Sequence, residues 1–280
     1  MANPTLHSFF GGKSRIGIWI KQFIPTDIKK FIEPFSGSFA VYFLTDINDN
    51  VEIVYNDINK DQVNLFACSK EYDKFNKILK YNLNDSNGIL YCSDEELEKR
   101  KNFYRELYYE LKNSNFRNEK FDIPDFNRAT SYSFLLTSAF SSCSYTAAGY
   151  SGFNKDRMKL LSFVNKLENK DVQKKLDKIS SFENLDFYDF MIKHDSSTTF
   201  MYIDAPYFSL NDNGDDSGKR AGWYGTKDEF GQAEHIKLLK LLKNLKSRWA
   251  LSYYYFPILE VHLPKNEYTW ITKDFFRSSA

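Results

Sequence analysis

The segment KKFIEPFSGSFAVYFL, residues 29–44, contains the transition that decides the fold. Its start predicts a short β-strand, Gly37 lies in a tight turn, and an apolar helix begins near Phe39. The segment VEIVYNDIN, residues 51–59, predicts a second strand that ends at its Asn-Asp pair. A strand, a glycine turn, a helix, a strand and then an acid are typical of the opening of a doubly wound α/β domain.

The α/β pattern returns near the end of the chain. TTFMYIDAPYF, residues 198–208, predicts a buried central strand that stops at Asp204. An amphipathic helix and a strand through Leu251 follow, and EYTWI, residues 267–271, is a candidate last strand. The chain between these α/β parts is mostly helical and charged. We therefore predict a discontinuous catalytic domain at residues 1–61 and 171–280. An inserted helical domain is predicted at residues 62–170.

Composition excludes several classes of protein. The 280 residues are 42% hydrophobic and 18% aromatic, with a formal net charge of +1, so neither a polybasic nor an acidic tail protein is indicated. Three cysteines without CxxC spacing favour a reducing cytoplasm, and the four histidines show no zinc-ligand pattern, so we expect no metal. We see neither a bilayer-spanning apolar run nor a signal peptide.

One motif first suggests a nucleotide hydrolase. GGKS, within HSFFGGKSR at residues 7–15, matches the end of the phosphate-binding pattern G-x-x-x-x-G-K-[ST]. The first glycine of that pattern is replaced by His7, and the loop needs the conformational freedom of glycine there. We reject the phosphate loop, which leaves Gly11, Gly12 and Lys13 to be explained otherwise.

Three carboxylates lie at predicted strand ends, where α/β sheets bind ligands: Glu33, Asp57 and Asp204. Asp57 follows Gly37 by 20 residues, the usual distance to an acid that binds ribose hydroxyls. The turn has a single glycine and no basic residue, which favours an adenosine ligand without phosphate, such as S-adenosyl-L-methionine. Two alternatives stay open, in which Asp57 caps the next helix and Glu33 only supports the turn.

IDAPYF, residues 203–208, is the most informative segment. Pro206 pushes Ala205 towards an extended backbone, which leaves the Ala205 carbonyl beside the Asp204 carboxylate. Two adjacent acceptors suit an exocyclic amino group, and Tyr207 is placed to stack on the same planar ring. An enzyme binds an extruded nucleobase in this way.

Taken together, the motifs resemble the Dam-type (D12 class) DNA N6-adenine methyltransferases. DAPY at 204–207 is similar to D-P-P-Y, EPFSGSF at 33–39 to E-P-F-x-G-x-G, NDIN at 56–59 to ADIN, and FFGGK at 9–13 to W-x-G-G-K. NLDFYDF and GYSGFN resemble the family's cofactor-adenine segment and the end of its recognition region, and the motifs keep the family's order.

The resemblance implies a Rossmann-like S-adenosyl-L-methionine-dependent methyltransferase that acts on a flipped adenine in duplex DNA. The implied catalytic residues are Asp204, Ala205, Pro206 and Tyr207. The implied cofactor-binding residues are Phe9, Gly11, Gly12, Lys13, Glu33, Pro34, Phe35, Gly37, Asp57, Ile58, Asp186, Phe187 and Asp204, with Phe9 and Lys13 over the methionine end. The candidate DNA-binding residues are Arg117, Tyr145, Tyr150, Asn154, Lys155, Arg157 and Lys159.

We expect the protein to bind duplex DNA and not a membrane. We expect a cytoplasmic monomer that is bacterial or encoded by a phage, with a cognate restriction endonuclease as a candidate partner. Three departures from the family pattern limit how far the family's residue roles can be assigned to this chain. Ala205 replaces proline, Phe39 replaces glycine and is expected to crowd the cofactor turn, and relatives usually continue beyond FFRSSA. The alternatives are therefore a weakened or inactive DNA-binding relative, or an enzyme that acts on RNA. An aspartate at position 204 favours methylation of adenine N6 over methylation of cytosine N4.

Overall fold

The structure is a computed structural model that describes residues 5–7, 13, 16–84, 105–113, 120–138, 159–207 and 230–273. Its strands are β1 (Lys30–Glu33), β2 (Glu52–Asn56), β3 (Ile179–Glu183), β4 (Thr199–Ile203) and β5 (Arg248–Leu251). They form one parallel sheet in the order β3-β2-β1-β4-β5. The winding direction changes between β1 and β4, and ligands of such sheets bind at the carboxyl ends beside this change.

The described α-helices lie before, between and after the strands. They are α1 (Gly17–Ile20), α2 (Ala40–Leu44), α3 (Lys60–Lys70), α4 (Tyr72–Asn84), α5 (105–113), α6 (Phe126–Ser138), α7 (Lys159–Leu167), α8 (Lys170–Asp177), α9 (Phe187–Lys193), α10 (Gln232–Leu242) and α11 (Pro257–His262). Alternation of helices with parallel strands confirms the predicted α/β class.

The sheet separates two hydrophobic clusters, because successive side chains of a strand point to opposite faces. Phe31 of β1 belongs to the cluster that includes residues of α3, α4, α6 and α7. Its neighbour Ile32 belongs to the cluster that includes residues of α9, α10 and α11. Both side chains are fully buried, as expected for a parallel sheet covered on both faces.

Helices from the predicted insert pack onto the same core as the sheet. Phe75 of α4 and Phe163 of α7 lie in one cluster with Phe31 of β1. A buried ion pair joins α6 to α3, with 2.5 Å between Arg128 Nε and Asp61 Oδ1. The domain division at residues 62–170 stays a prediction, and the described part of that range is helical apart from short connections.

Two strand assignments from sequence need correction. The candidate strand at residues 267–271 is wrong, since a turn at 265–267 leads into irregular chain there, and Trp270 Nε1 donates to the Leu263 carbonyl at 2.8 Å. Instead the sheet has β3, which sequence analysis did not identify. Its residues Ser180 and Ser181 interrupt the apolar pattern, and its burial is partial because it is an edge strand.

Candidate functional site

The turn after β1 is held by hydrogen bonds from neighbouring elements. Ser36 Oγ donates to the Glu33 carbonyl at 2.8 Å and accepts from the Asn56 N–H at 3.1 Å. Gly37 has φ 48°, a left-handed conformation that glycine adopts without strain. Its N–H donates to Asp57 Oδ2 at 2.8 Å, which joins the turn to the end of β2.

Both carboxylate oxygens of Asp57 accept hydrogen bonds from backbone N–H groups. Oδ1 accepts from the Asn59 N–H at 2.8 Å while Oδ2 accepts from Gly37. Asn59 is the N-cap of α3, so the alternative that Asp57 caps this helix is wrong. Burial raises the pKa of Asp57 to about 6. Each carboxylate oxygen has a second lone pair, which leaves acceptor capacity for a ligand.

Glu33 lies at the carboxyl end of β1 and is buried. Its Oε1 accepts from the Tyr42 N–H in α2 at 3.0 Å, so this carboxyl group supports the first turn of the helix after the glycine turn. Burial raises the pKa of Glu33 well above its usual range, and the nearby Asp204 carboxylate contributes to the increase.

Phe39 replaces the last glycine of the family's turn motif and has φ 53°, which is strained for a residue with a side chain. Its ring is fully buried and packs against Tyr42 and Tyr55, with ring centroids 4.6 and 5.1 Å apart. The expectation that Phe39 crowds the cofactor turn is therefore wrong, because aromatic packing places the ring in the core.

Asn56 is a functional candidate that sequence analysis missed. Its buried amide donates to the Pro34 carbonyl at 2.9 Å and accepts from the Leu185 N–H at 3.0 Å. These bonds join the turn after β1 to the loop before α9. The only sequence signal is its place directly before Asp57, in a motif whose family counterpart has alanine.

The loops after β2 and β3 place polar and apolar groups at the carboxyl-terminal edge of the sheet. Asn184 Nδ2 donates to the carbonyls of Asp57 and Ile58, at 2.7 and 3.0 Å, and the Ile58 side chain is 52% exposed. Asp186 caps α9 by accepting from the Tyr188 N–H at 3.0 Å. The Asp186 side chain is 45% exposed, and its Oδ1 lies 3.7 Å from Lys237 Nζ.

Phe187 and Phe35 lie under this edge. Their rings stack, with centroids 5.4 Å apart and an interplanar angle of 25°. Phe187 is buried, so its ring supports the edge from the core. A direct contact of Phe187 with the cofactor remains a prediction.

Asp204 follows β4 and binds Lys13. Nζ of Lys13 lies 2.5 Å from each carboxylate oxygen of Asp204, and 5.0 Å from the ring centroid of Tyr207. The Tyr207 hydroxyl donates to Asp204 Oδ1 at 3.2 Å. The resemblance assigned Lys13 to the methionine end of the cofactor, whereas here its ammonium group pairs with the predicted catalytic carboxylate.

Tyrosines after β5 support the segment around Pro206. The Tyr253 hydroxyl donates to the Pro206 carbonyl at 3.3 Å and lies 2.9 Å from His235 Nδ1. The Tyr253 and Tyr254 rings lie 5.2 and 4.6 Å from the Tyr207 ring. These tyrosines were not identified from the sequence, although three consecutive tyrosines at 253–255, one residue beyond a predicted strand, were a visible signal.

Glu33, Asp57 and Asp204 thus lie at the carboxyl ends of β1, β2 and β4, with Lys13 on Asp204. The family model of the D12 class N6 adenine-specific DNA methyltransferases matches residues 9–275. The chain belongs to this family. It is 28% identical over 252 residues to the Type II methyltransferase M.MjaIII of Methanocaldococcus jannaschii, a match that covers 86% of this chain and 79% of the relative.

Several residues that the D12 resemblance singled out lie outside the described part of the chain. They are Phe9, Gly11, Gly12, Arg117, Tyr145, Tyr150, Asn154, Lys155 and Arg157. Lys159 begins α7, and its side chain is likewise not described. Their roles remain predictions.

This D12 methyltransferase has neither a metal cluster nor a membrane-spanning helix among its described residues. In these ranges no group of three or more His, Cys, Asp or Glu side chains is placed to hold a metal ion. No helix there is both long and apolar enough to cross a membrane.

Proposed function

We propose that the chain transfers a methyl group from S-adenosyl-L-methionine to N6 of an adenine that has been flipped out of duplex DNA. The observation that carries the proposal is the placement of Asp204 and Tyr207 directly after β4, beside the point where the winding of the sheet changes. The DAPY segment, 204–207, occupies the place of the family's D-P-P-Y motif.

The residues at the sheet edge fit S-adenosyl-L-methionine in charge and shape. Asp57 has lone pairs for ribose hydroxyls, and the exposed side chains of Ile58 and Asp186 offer an apolar and a polar contact for a purine ring. The turn at residues 34–39 has no basic side chain that could pair with a phosphate, which favours S-adenosyl-L-methionine over a phosphorylated ligand. When bound, S-adenosyl-L-methionine supplies the electrophilic methyl group.

Asp204 and the Ala205 carbonyl act on the target amino group. Both accept hydrogen bonds from N6 of the adenine, which keeps the nitrogen lone pair available for attack. Positive charge develops on N6 in the transition state, and a carboxylate placed there in advance stabilises it. Tyr207 stacks on the flipped base and offsets part of the few kcal/mol that base flipping costs.

Lys13 has a different role in this proposal from the one the resemblance implied. Its ammonium group contacts both oxygens of Asp204. Adenine N6 requires one acceptor position on this carboxylate, so Lys13 shares Asp204 with the base or shifts towards the cofactor.

The DNA is bound by the helical region between residues 62 and 170 and by the segments that join its helices. Arg117, Lys155, Arg157 and Lys159 are proposed to contact phosphates, which position the protein without reading sequence. Tyr145, Tyr150 and Asn154 are proposed to approach the bases.

The proposed setting is a cytoplasmic monomer that acts on duplex DNA. The relative M.MjaIII is named a type II methyltransferase, which motivates a cognate restriction endonuclease as partner in the same system.

Transfer of a labelled methyl group to DNA of mixed sequence tests the proposal. The unmodified chain is expected to label DNA. Asp204→Ala is expected to abolish labelling and to leave DNA binding intact, because it removes only a side-chain acceptor. Ala205→Pro is expected to fold and to be at least as active, since the carbonyl oxygen is retained. Activity only in Ala205→Pro would favour the inactive-relative alternative.

A further inference from the structure

Gln62, in the first turn of α3, is a polar side chain with no exposed surface. It lies between the glycine turn, the N-terminal segment and α6. A buried amide is costly unless its donors and acceptor are satisfied, so its hydrogen bonds indicate what it holds in place.

The Gln62 amide bonds to three different parts of the chain. Its Nε2 donates to the Gly37 carbonyl at 2.8 Å and lies 2.7 Å from His7 Nε2. Its Oε1 accepts from the Tyr132 hydroxyl at 3.0 Å.

The orientation of this amide follows from chemistry. A flipped amide would place its oxygen against the Gly37 carbonyl, and two acceptors do not bond. The nitrogen therefore faces both the carbonyl and His7, so Nε2 of His7 accepts and is unprotonated.

The consequence lies at Gly37, whose peptide groups are held from two sides. Asp57 accepts from the Gly37 N–H, while Gln62 and Tyr55 donate to the Gly37 carbonyl, the latter at 2.7 Å. The turn thus has a defined orientation in which Asp57 is tied to the glycine N–H and keeps its remaining lone pairs for a ligand.

We propose that Gln62 is a positioning residue for the cofactor turn, which fixes the Gly37 peptide and through it the Asp57 carboxylate. The inference rests on the proposed function, because it assigns the turn to S-adenosyl-L-methionine. It predicts that changes at Gln62 weaken the binding of the cofactor and leave the binding of DNA unchanged.

Gln62→Glu keeps the size of the side chain and replaces both N–H donors by a carboxyl group, which donates only when it is protonated. Tyr132→Phe is the matched control, since it removes the hydrogen bond at the other end of the same amide and a 3.3 Å bond from Asn59 Nδ2, and it leaves both donors of Gln62 in place. Gln62→Met lacks donors at every pH and is therefore the decisive variant. Circular dichroism first sets a temperature at which each variant is folded.

Calorimetry then measures the binding of S-adenosyl-L-homocysteine, and fluorescence anisotropy measures that of a DNA duplex. For Gln62→Glu or Gln62→Met we expect the dissociation constant of the cofactor product to rise about tenfold to a hundredfold, as for a lost partner of a buried group. For Tyr132→Phe we expect the dissociation constant of the cofactor product to rise less than about threefold. The dissociation constant of the DNA duplex should not change in any variant. In methylation assays KM for the methyl donor should rise, with kcat little changed.

An unchanged dissociation constant in both Gln62 variants would overturn the proposal. So would an equal loss of cofactor affinity in the Gln62 variants and Tyr132→Phe, which would indicate general destabilisation. If the unmodified chain binds no S-adenosyl-L-homocysteine, the proposed function itself fails, and the role of Gln62 fails with it.

Discussion

The buried carboxyl group of Asp57 gives a quantitative prediction for Asp57→Asn. In the folded chain burial raises the pKa of Asp57 from 3.8 to about 6. The folded protein therefore keeps the proton to a higher pH than the unfolded chain does. The free energy of unfolding decreases as the pH rises through this window, since the folded state binds more protons there.

The size of the effect follows from the two pKa values. A tenfold difference in proton affinity corresponds to about 1.4 kcal/mol, so the full penalty is about 3 kcal/mol above the folded pKa. About half of it, roughly 1.5 kcal/mol, develops between about pH 5 and pH 7.5. The amide introduced by Asp57→Asn does not titrate and leaves one backbone N–H without its acceptor, a cost of about 1–3 kcal/mol that does not depend on pH.

Urea unfolding followed by circular dichroism measures both proteins across this range. We expect the stability advantage of the unmodified chain over Asp57→Asn to fall by about 1.5 kcal/mol from about pH 5 to pH 7.5. Asp195→Asn is a control for which the stability difference from the unmodified chain should stay constant in this range, because a lowered pKa confines the titration of Asp195 to more acidic pH. Although burial alone raises the pKa of Asp195, hydrogen bonds from Ser247 and Lys246 lower it.

The same group links pH to the cofactor. A carboxylate that binds ribose hydroxyls favours the ionised form, so affinity for S-adenosyl-L-methionine should rise with pH up to about pH 6, by up to about tenfold for each pH unit. Asp57→Asn should lack this rise. A stability difference that is constant or grows with pH would refute the burial argument.

Three further predictions concern separate features. Phe39→Ala should destabilise the fold by about 3–5 kcal/mol because a buried ring is lost. Phe39→Gly should be about 1 kcal/mol more stable than Phe39→Ala, because glycine adopts the left-handed backbone conformation without strain. Urea unfolding that ranks the two variants in the reverse order would contradict this. Tyr253→Phe should lower kcat for methylation by about fivefold to tenfold with cofactor affinity unchanged, since one hydrogen bond to the DAPY segment is lost; equal kcat would remove Tyr253 from the site. Replacing Lys155, Arg157 and Lys159 by alanine should weaken all DNA sequences similarly and flatten the salt dependence by about one unit for each lost phosphate contact; a changed sequence preference with an unaltered slope would mean that they contact bases.

The core of the fold could be predicted because its signals are local. The turn around Gly37 and the apolar run before Asp204 predict strands whose carboxyl ends carry the acids, and β1, β2 and β4 confirm them. The edge strand β3 was missed, because half-exposed serines do not give the pattern of a buried strand.

The site itself depends on contacts that are distant in the sequence. Lys13 and Asp204 are 191 residues apart, and no spacing rule connects them. Gln62 lies on a helix whose apolar pattern gives no sign that one polar side chain faces inward. The position of the Phe39 ring is likewise set by the aromatic side chains that surround it in three dimensions.

The identity of the methylated nucleoside tests the central claim most directly. DNA of mixed sequence is incubated with the unmodified chain and isotopically labelled S-adenosyl-L-methionine, digested to nucleosides and analysed by mass spectrometry, with Asp204→Ala in parallel. We expect labelled N6-methyldeoxyadenosine from the unmodified chain and none from Asp204→Ala. Labelled N4-methylcytosine, or equal labelling by both proteins, would contradict it.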